Sequence, residues 1–159
     1  MSAFVKFDGI DGSSTRKGFE KWVPVECVSQ AVSRPCNAGS SGVARYTSTA
    51  ACSDVSISGK LDCATPMLLG CMCSGKLIKK VEIAFCQSIG DDEDTVFYKV
   101  KLENVLVSGV SVNGMNDGTP SMSCSLNFTK AEWTFTKFTE DGKNDGNVDA
   151  KWDIEKGTK

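Results

Sequence analysis

The sequence predicts a mainly β protein: a closed antiparallel β-barrel or sandwich interrupted by one short α-helix. Period-two alternation of apolar and polar residues recurs along most of the chain, as half-buried strands require. Clusters of Gly, Asn, Asp and Ser punctuate the alternating runs and mark tight turns. One stretch alone, residues 66–74, keeps helical spacing instead.

The opening run Ala3-Phe4-Val5-Lys6-Phe7-Asp8 alternates and then meets Gly9 and Gly12, so a strand ends there in a turn. Residues 13–20 are polar and carry no periodic signal. From Lys21 the pattern resumes through Trp22, Val23, Val25, Cys27, Val28, Ala31 and Val32, which predicts a long strand bent near Pro24. A proline cannot donate to a ladder, so its side should be an edge or a bulge. Residues 34–53 hold Pro35, Gly39, Ser40, Ser41 and Gly42 and few large apolar side chains. An extended loop of that length reads either as a surface insertion or as a protruding arm that contacts another subunit.

Residues 54–61 alternate again, and the helix follows. Thr65 is the predicted N-cap, with Pro66 at the first helical position, where its missing N–H costs nothing. Met67, Leu68, Cys71 and Met72 share a face that reads as core packing, and Gly75 stops the helix. Ile78, Val81, Ile83 and Phe85 then alternate up to an acidic turn at residues 90–94. Val96, Tyr98, Val100 and Leu102 alternate with Phe97, Lys99 and Lys101, giving one buried face and one basic, wet face. Residues 104–112 read as a further strand, and 113–118 as a turn. Met122, Cys124, Leu126 and Phe128 alternate with Ser123, Ser125 and Asn127; Trp133 and Phe135 alternate with Glu132, Thr134 and Thr136 in the last strand. The segment 139–159 is charged and Gly-spotted, with an apolar handle at Trp152 and Ile154. Residues 1–159 read as one unit.

Composition prunes the functions. Hydrophobic residues make up 40% and charged residues 24%, and the net charge is −2, so no basic field argues for nucleic acid or an anionic membrane. No apolar run approaches the roughly 18 residues that span a bilayer. Lys6, Asp8 and Asp11 stand where a signal peptide needs an apolar stretch, so a cytoplasmic start is expected. The chain has no His, which removes Ser-His-Asp and Cys-His catalysis and histidine-ligated metals. Its acidic residues cluster in turns rather than as two carboxylates set apart. No enzyme and no cofactor is expected. The eight cysteines read mostly as reduced, small buried hydrophobes; a regulatory or inter-subunit disulfide and a Cys-only zinc site are the alternatives.

The ordered series of motifs resembles the haemolysin-coregulated protein (Hcp) family, tube subunits of the bacterial type VI secretion system. Lys6-Phe7-Asp8-Gly9-Ile10-Asp11-Gly12-Ser13-Ser14 is similar to its opening strand and turn. Asp54-Val55-Ser56-Ile57, then Leu61-Asp62-Cys63-Ala64-Thr65-Pro66-Met67-Leu68, resemble its strand into helix. The central run containing Leu102-Glu103-Asn104-Val105, the run 126–133 and Lys151-Trp152-Asp153-Ile154 complete the likeness over nearly the whole chain. Two departures stand out: Ser121-Met122-Ser123 where an acidic residue is common, and the cysteine load.

The resemblance implies a homo-hexameric ring of barrels, stacked into a hollow tube inside a contractile sheath. The tube would meet a VgrG-like spike and carry effector cargo, and would leave the cytoplasm through the secretion apparatus without a signal peptide. Asp62, Ala64, Thr65, Pro66 and Leu68 would form the family's helix start, with the helix covering one barrel end. Arg34, Pro35, Asn37, Gly39, Gly42, Arg45 and Tyr46 would form the ring-to-ring contact loop, and Lys99 and Lys101 a wet or lumen face. Two other classes compete: a monomeric β-barrel binding module, and a Cys-based metal or redox protein.

Overall fold

The structure, a computed structural model, describes residues 1–36, 47–88, 94–114, 116, 118–139 and 144–158. Among them lie, in chain order, β1 (Ser2–Phe7), β2 (Val23–Val25), β3 (Cys27–Ser29), β4 (Val32–Ser33), β5 (Ala51–Cys52), β6 (Val55–Lys60), α1 (Thr65–Ser74), β7 (Ile78–Ser88), β8 (Asp94–Asn113), β9 (Ser121–Asn127), β10 (Lys130–Phe138) and β11 (Asn144–Asp153).

The two strands expected on either side of residue 103 are one 20-residue strand, β8. Its first half lies between β7 and β10, and its second half pairs with β9. The change of partner falls at Asn104, whose φ of 52° is in the left-handed region that asparagine tolerates better than most residues. The Asn104 amide donates to Thr129 Oγ1 at 3.2 Å and ties the switch to the start of β10. Two antiparallel sheets therefore share β8: a front sheet ordered β2-β1-β7-β8-β10-β11 and a back sheet ordered β8-β9-β6-β3. At the far margin, β2 and β3 are separated in the chain by Glu26 alone, whose N–H donates to the Ser58 carbonyl of β6 at 2.8 Å. The sheets are thus joined at β8 and at the β2–β3 corner, so the sandwich curls into a barrel past which β10 and β11 extend the front sheet to a margin at β11. The bend expected near Pro24 falls at Glu26, and Pro24 sits on β2, which ends the front sheet.

Alternate residues of both sheets fill the interior, among them Val5, Val81, Ile83, Leu102, Ile57 and Leu126. A second, smaller cluster lies outside the front sheet. There the polar run 13–20 folds back so that Phe19 stacks on Phe4 at 4.7 Å between ring centroids and meets Trp22 edge-on at 5.2 Å, over Ala84 and Cys86. Gly12 permits this return: a Cβ there would lie 2.4 Å from the Trp22 carbonyl oxygen. Arg16 donates to Asp94 Oδ1 at 2.8 Å and pins the segment to β8.

The helix start differs from the expectation. Ala64, not Thr65, is the N-cap, and Pro66 takes the second position. Thr65 is drawn inward instead: its hydroxyl accepts from the Asp62 N–H at 3.3 Å and donates to Met122 Sδ at 3.3 Å. Among the described residues no side chain caps the first turn; the Asp62 carboxylate accepts from the Ala64 N–H at 2.9 Å just ahead of it. Gly75, at φ 64°, ends the helix as expected. The proposed Met-Leu stripe splits: Leu68 and Cys71 are buried, whereas Met67 is 55% and Met72 40% exposed. The helix meets the barrel along a narrow line, and at about 100° per residue Met67 and Met72 fall on either flank of it.

Two further segments are more ordered than the sequence suggested. The described flanks of 34–53 form a separate two-stranded ribbon, with Val32 opposite Cys52, Ser33 opposite Ala51 and a bridge between Cys36 and Thr47. Much of the charged segment 139–159 is β11, paired with β10 from Lys130–Asp153 to Phe138–Asn144, so β10 is not the last strand.

The helix geometry sets a test. Leu68→Ala should cost about 2–5 kcal/mol through the cavity it leaves, and Met67→Ala no more than about 0.5 kcal/mol. Urea unfolding of the two variants checks this; equal losses would contradict the narrow contact line.

Candidate functional site

The two sheets present outward faces of opposite chemistry. On the front sheet, one cross-strand row reads Lys6, Glu82, Lys101, Glu132, Lys151 across β1, β7, β8, β10 and β11. The next row reads Lys80, Glu103, Lys130, Asp153, offset so that its signs oppose those of the first. The result is a checkerboard of alternating charge, and directly opposed charges of unlike sign favour their register. Lys99 and Lys101 sit at its centre. Lys99 Nζ lies 2.7 Å from Glu82, Lys80 Nζ 2.5 Å from the same carboxylate, Lys151 Nζ 3.2 Å from Glu132 and Lys130 Nζ 3.7 Å from Glu103. Burial pushes the Glu82 carboxyl up, but the hydrogen bonds and charges of Lys80 and Lys99 outweigh it and hold Glu82 down at about 2.

The back sheet is nearly without charge. One row runs Cys27, Ser58, Ser123, Ser111 and the next Ser29, Ser56, Ser125, Gly109. The hydroxyls bond among themselves, Ser111 with Ser123 at 2.6 Å and Ser108 with Ser125 at 3.0 Å. Gly109 leaves room for this layer, since a Cβ there would lie 2.7 Å from Ser125 Oγ and would make that hydroxyl turn away. At the rim, Asp54 accepts from Ser108 at 2.6 Å and from Asn127 at 2.8 Å.

The motif at the helix start is an architectural latch. Asp62 is buried, and besides Ala64 it accepts from both the N–H (3.2 Å) and the hydroxyl of Ser13 and from the Cys63 thiol (3.3 Å). Burial raises its pKa, yet these hydrogen bonds prevail and leave it lowered. A carboxylate saturated in this way joins the opening loop to the helix and has no capacity left to act as a base. Leu68 anchors the same helix in the core.

Of the proposed ring-to-ring residues, Arg34 and Pro35 lie on the two-stranded ribbon, where Arg34 Nε donates to the Ser48 carbonyl at 2.6 Å and Pro35 O accepts from the Ser48 N–H at 3.1 Å. Asn37, Gly39, Gly42, Arg45 and Tyr46 lie outside the described residues. Sequence reading missed Glu82 and Glu132 as partners of Lys99 and Lys101, and Lys151 as a second partner of Glu132, because the pairing depends on strand register. The only available signal was the alternating sign of Asp149, Lys151 and Asp153.

The cysteines depart from the expectation that most are buried. Cys71, Cys86 and Cys124 are buried, Cys52 is intermediate, and Cys27, Cys36, Cys63 and Cys73 are exposed; all eight are free thiols. Among the described residues no three His, Cys, Asp or Glu side chains group as metal ligands, and no described helix is long and apolar enough to cross a membrane.

A barrel with two wide, chemically unlike faces, a projecting ribbon and a saturated carboxylate latch is the build of an assembly subunit. The family model described as "Type VI secretion system effector, Hcp" matches residues 4–135, and the chain belongs to that family. Solved structures share the fold. A type six secretion system protein superposes with a TM-score of 0.92 at 22% identity, covering 99% of this chain and 98% of that one. A type VI secretion system effector from Yersinia pestis gives 0.77 at 22% identity, with 96% and 99% covered. Hcp1 from Salmonella typhimurium gives 0.79 at 20% identity, with 98% and 95% covered. Among curated proteins none matches in sequence. The chain is a type VI secretion tube subunit, a structural protein. Family membership implies hexameric rings and secretion, and favours neither the monomeric binding module nor the metal or redox protein.

The Glu82 pairs make stability depend on pH. Its folded pKa is about 2 against an ordinary 4.5, so the contribution is complete above the ordinary value and lost as pH falls through the folded one. Between these limits Glu82→Gln should flatten the fall of the urea midpoint, and the difference should shrink in 1 M salt. Parallel pH profiles for variant and wild type would contradict the assignment.

Proposed function

We propose that six copies close into an annulus, that annuli stack through the ribbon carrying Arg34 and Pro35 together with the segment holding Asn37, Gly39, Gly42, Arg45 and Tyr46, and that effector cargo rides in the bore. The stack is capped by a VgrG-like spike, driven by a contractile sheath, and leaves the cytoplasm by that route. No bond is made or broken; the protein works by shape. Family membership over residues 4–135 is the observation that carries this reading.

The two faces take different duties in it. The checkerboard at Lys99 and Lys101 is the wet outer face: its charges neutralise one another laterally, which keeps the surface hydrated and soluble without a net field. The serine layer lines the bore, where short hydroxyl side chains offer cargo weak hydrogen bonds that no single cargo charge dominates. Contacts that are individually weak allow release at the far end.

Light scattering on the purified chain should give a particle near six times 17.0 kDa, about 100 kDa. Replacing residues 37–46 with a short Gly-Ser linker should leave that mass unchanged and abolish end-to-end stacks in negative stain. A particle of 17.0 kDa at high concentration, or linker variants that stack as well as wild type, would overturn the respective part.

A further inference from the structure

A ring built from one repeated contact needs two unlike patches on every copy, one for each neighbour. Two patches of exposed, large apolar side chains stand out among the described residues. The first is the exposed side of α1, with Leu69 38% exposed near its middle, Met67 (55%) and Met72 (40%) on its two flanks, and Leu77 at 47% just beyond its end. The helix sequence TPMLLGCMCS carries no charge, and the space around Gly70 is open, so a flat surface can approach it closely.

The second is the underside of the β10–β11 hairpin. Phe135 and Val148 stand directly opposite each other there, 46% and 53% exposed. They share a side with Ala131 and Trp133, which pack on the interior, but they lie nearer the hairpin's end. Phe97, the unpaired residue of a bulge where β7 meets β8, touches Phe135 edge-on at 6.5 Å between centroids. Apolar side chains on this flank stay in water unless something packs against them.

The chain's own helix cannot do so. Phe135 pairs with Tyr98, whereas Leu77 adjoins Ile78, which pairs with Val105; seven residues of β8, roughly 23 Å at strand rise, separate the two places. We infer that the outer face of α1 on one copy lies beneath the β10–β11 hairpin of the next, as the contact that closes the ring. The inference rests on the ring reading above and names its interface. Burial of apolar side chains drives the contact, so it is insensitive to salt.

The test uses Leu69→Glu, which spoils the helix patch, and Val148→Glu, which spoils the hairpin patch. Each folded variant alone should elute as a monomer. An equimolar mixture should give heterodimers and nothing larger, because one intact helix face and one intact hairpin remain per pair. Leu69→Glu that still forms rings beside ring-forming wild type removes this inference alone, as does a mixture that stays monomeric. A wild type that never assembles removes the ring reading and this contact with it. Should circular dichroism show either variant unfolded, Leu69→Ala and Val148→Ala take their place. Each should raise the protein concentration at which rings dissociate at least tenfold, and an unchanged value overturns the proposal.

Discussion

The fold depends on the register of one strand. β8 is shared by both sheets, so its pairing decides at once which side chains of β7, β9 and β10 face inward. A slip of one residue would turn the charged lattice into the core and the core onto the surface. Three local devices fix it: the left-handed Asn104 at the change of partner, the irregularity opposite Phe85 and Cys86, and the one between Val107 and Gly109. Each bulge shifts the alternation by one residue, which is why Val96 joins the outer aromatic cluster while Tyr98 packs on the interior.

The chemistry of the two faces follows from that register. Exposed ion pairs of the front sheet are each worth about 0–1 kcal/mol, so the lattice contributes less to overall stability than to keeping strands aligned and the surface hydrated. Stability resides in the buried residues of both sheets and in the Asp62 latch, which joins the opening loop to the helix start through one carboxylate. The barrel retains an edge at β11, which pairs with β10 alone among the described residues. That edge is blunted by Asp145, Gly146, Asp149 and Lys151, polar and charged positions that discourage indiscriminate pairing.

Much of this architecture was legible in the sequence because period-two alternation survives wherever one strand face is buried. The strands through Val5, Ile57, Ile83, Leu102 and Leu126 were visible for that reason, as was the Gly75 stop. Phe19 was not, since one aromatic in a polar loop has no period and its burial depends on a long-range return over Phe4. Thr65 looked like a cap because a local rule cannot see Asp62 being drawn in by Ser13, 49 residues earlier. β11 was hidden because its side chains are almost all exposed, leaving no apolar stripe to read. The family likeness was carried by order and spacing, whereas the partners of Lys99 and Lys101 required the cross-strand register itself.

The central claim is that subunit geometry, with one sheet inside and the other outside, is the function. Cryo-electron microscopy of the purified assembly tests it most directly. A six-fold particle with Ser58, Ser123 and Ser111 around its hole and Lys101 and Glu132 on its rim is the predicted result. A particle without rotational symmetry, or one whose hole is walled by the charged lattice, would contradict it.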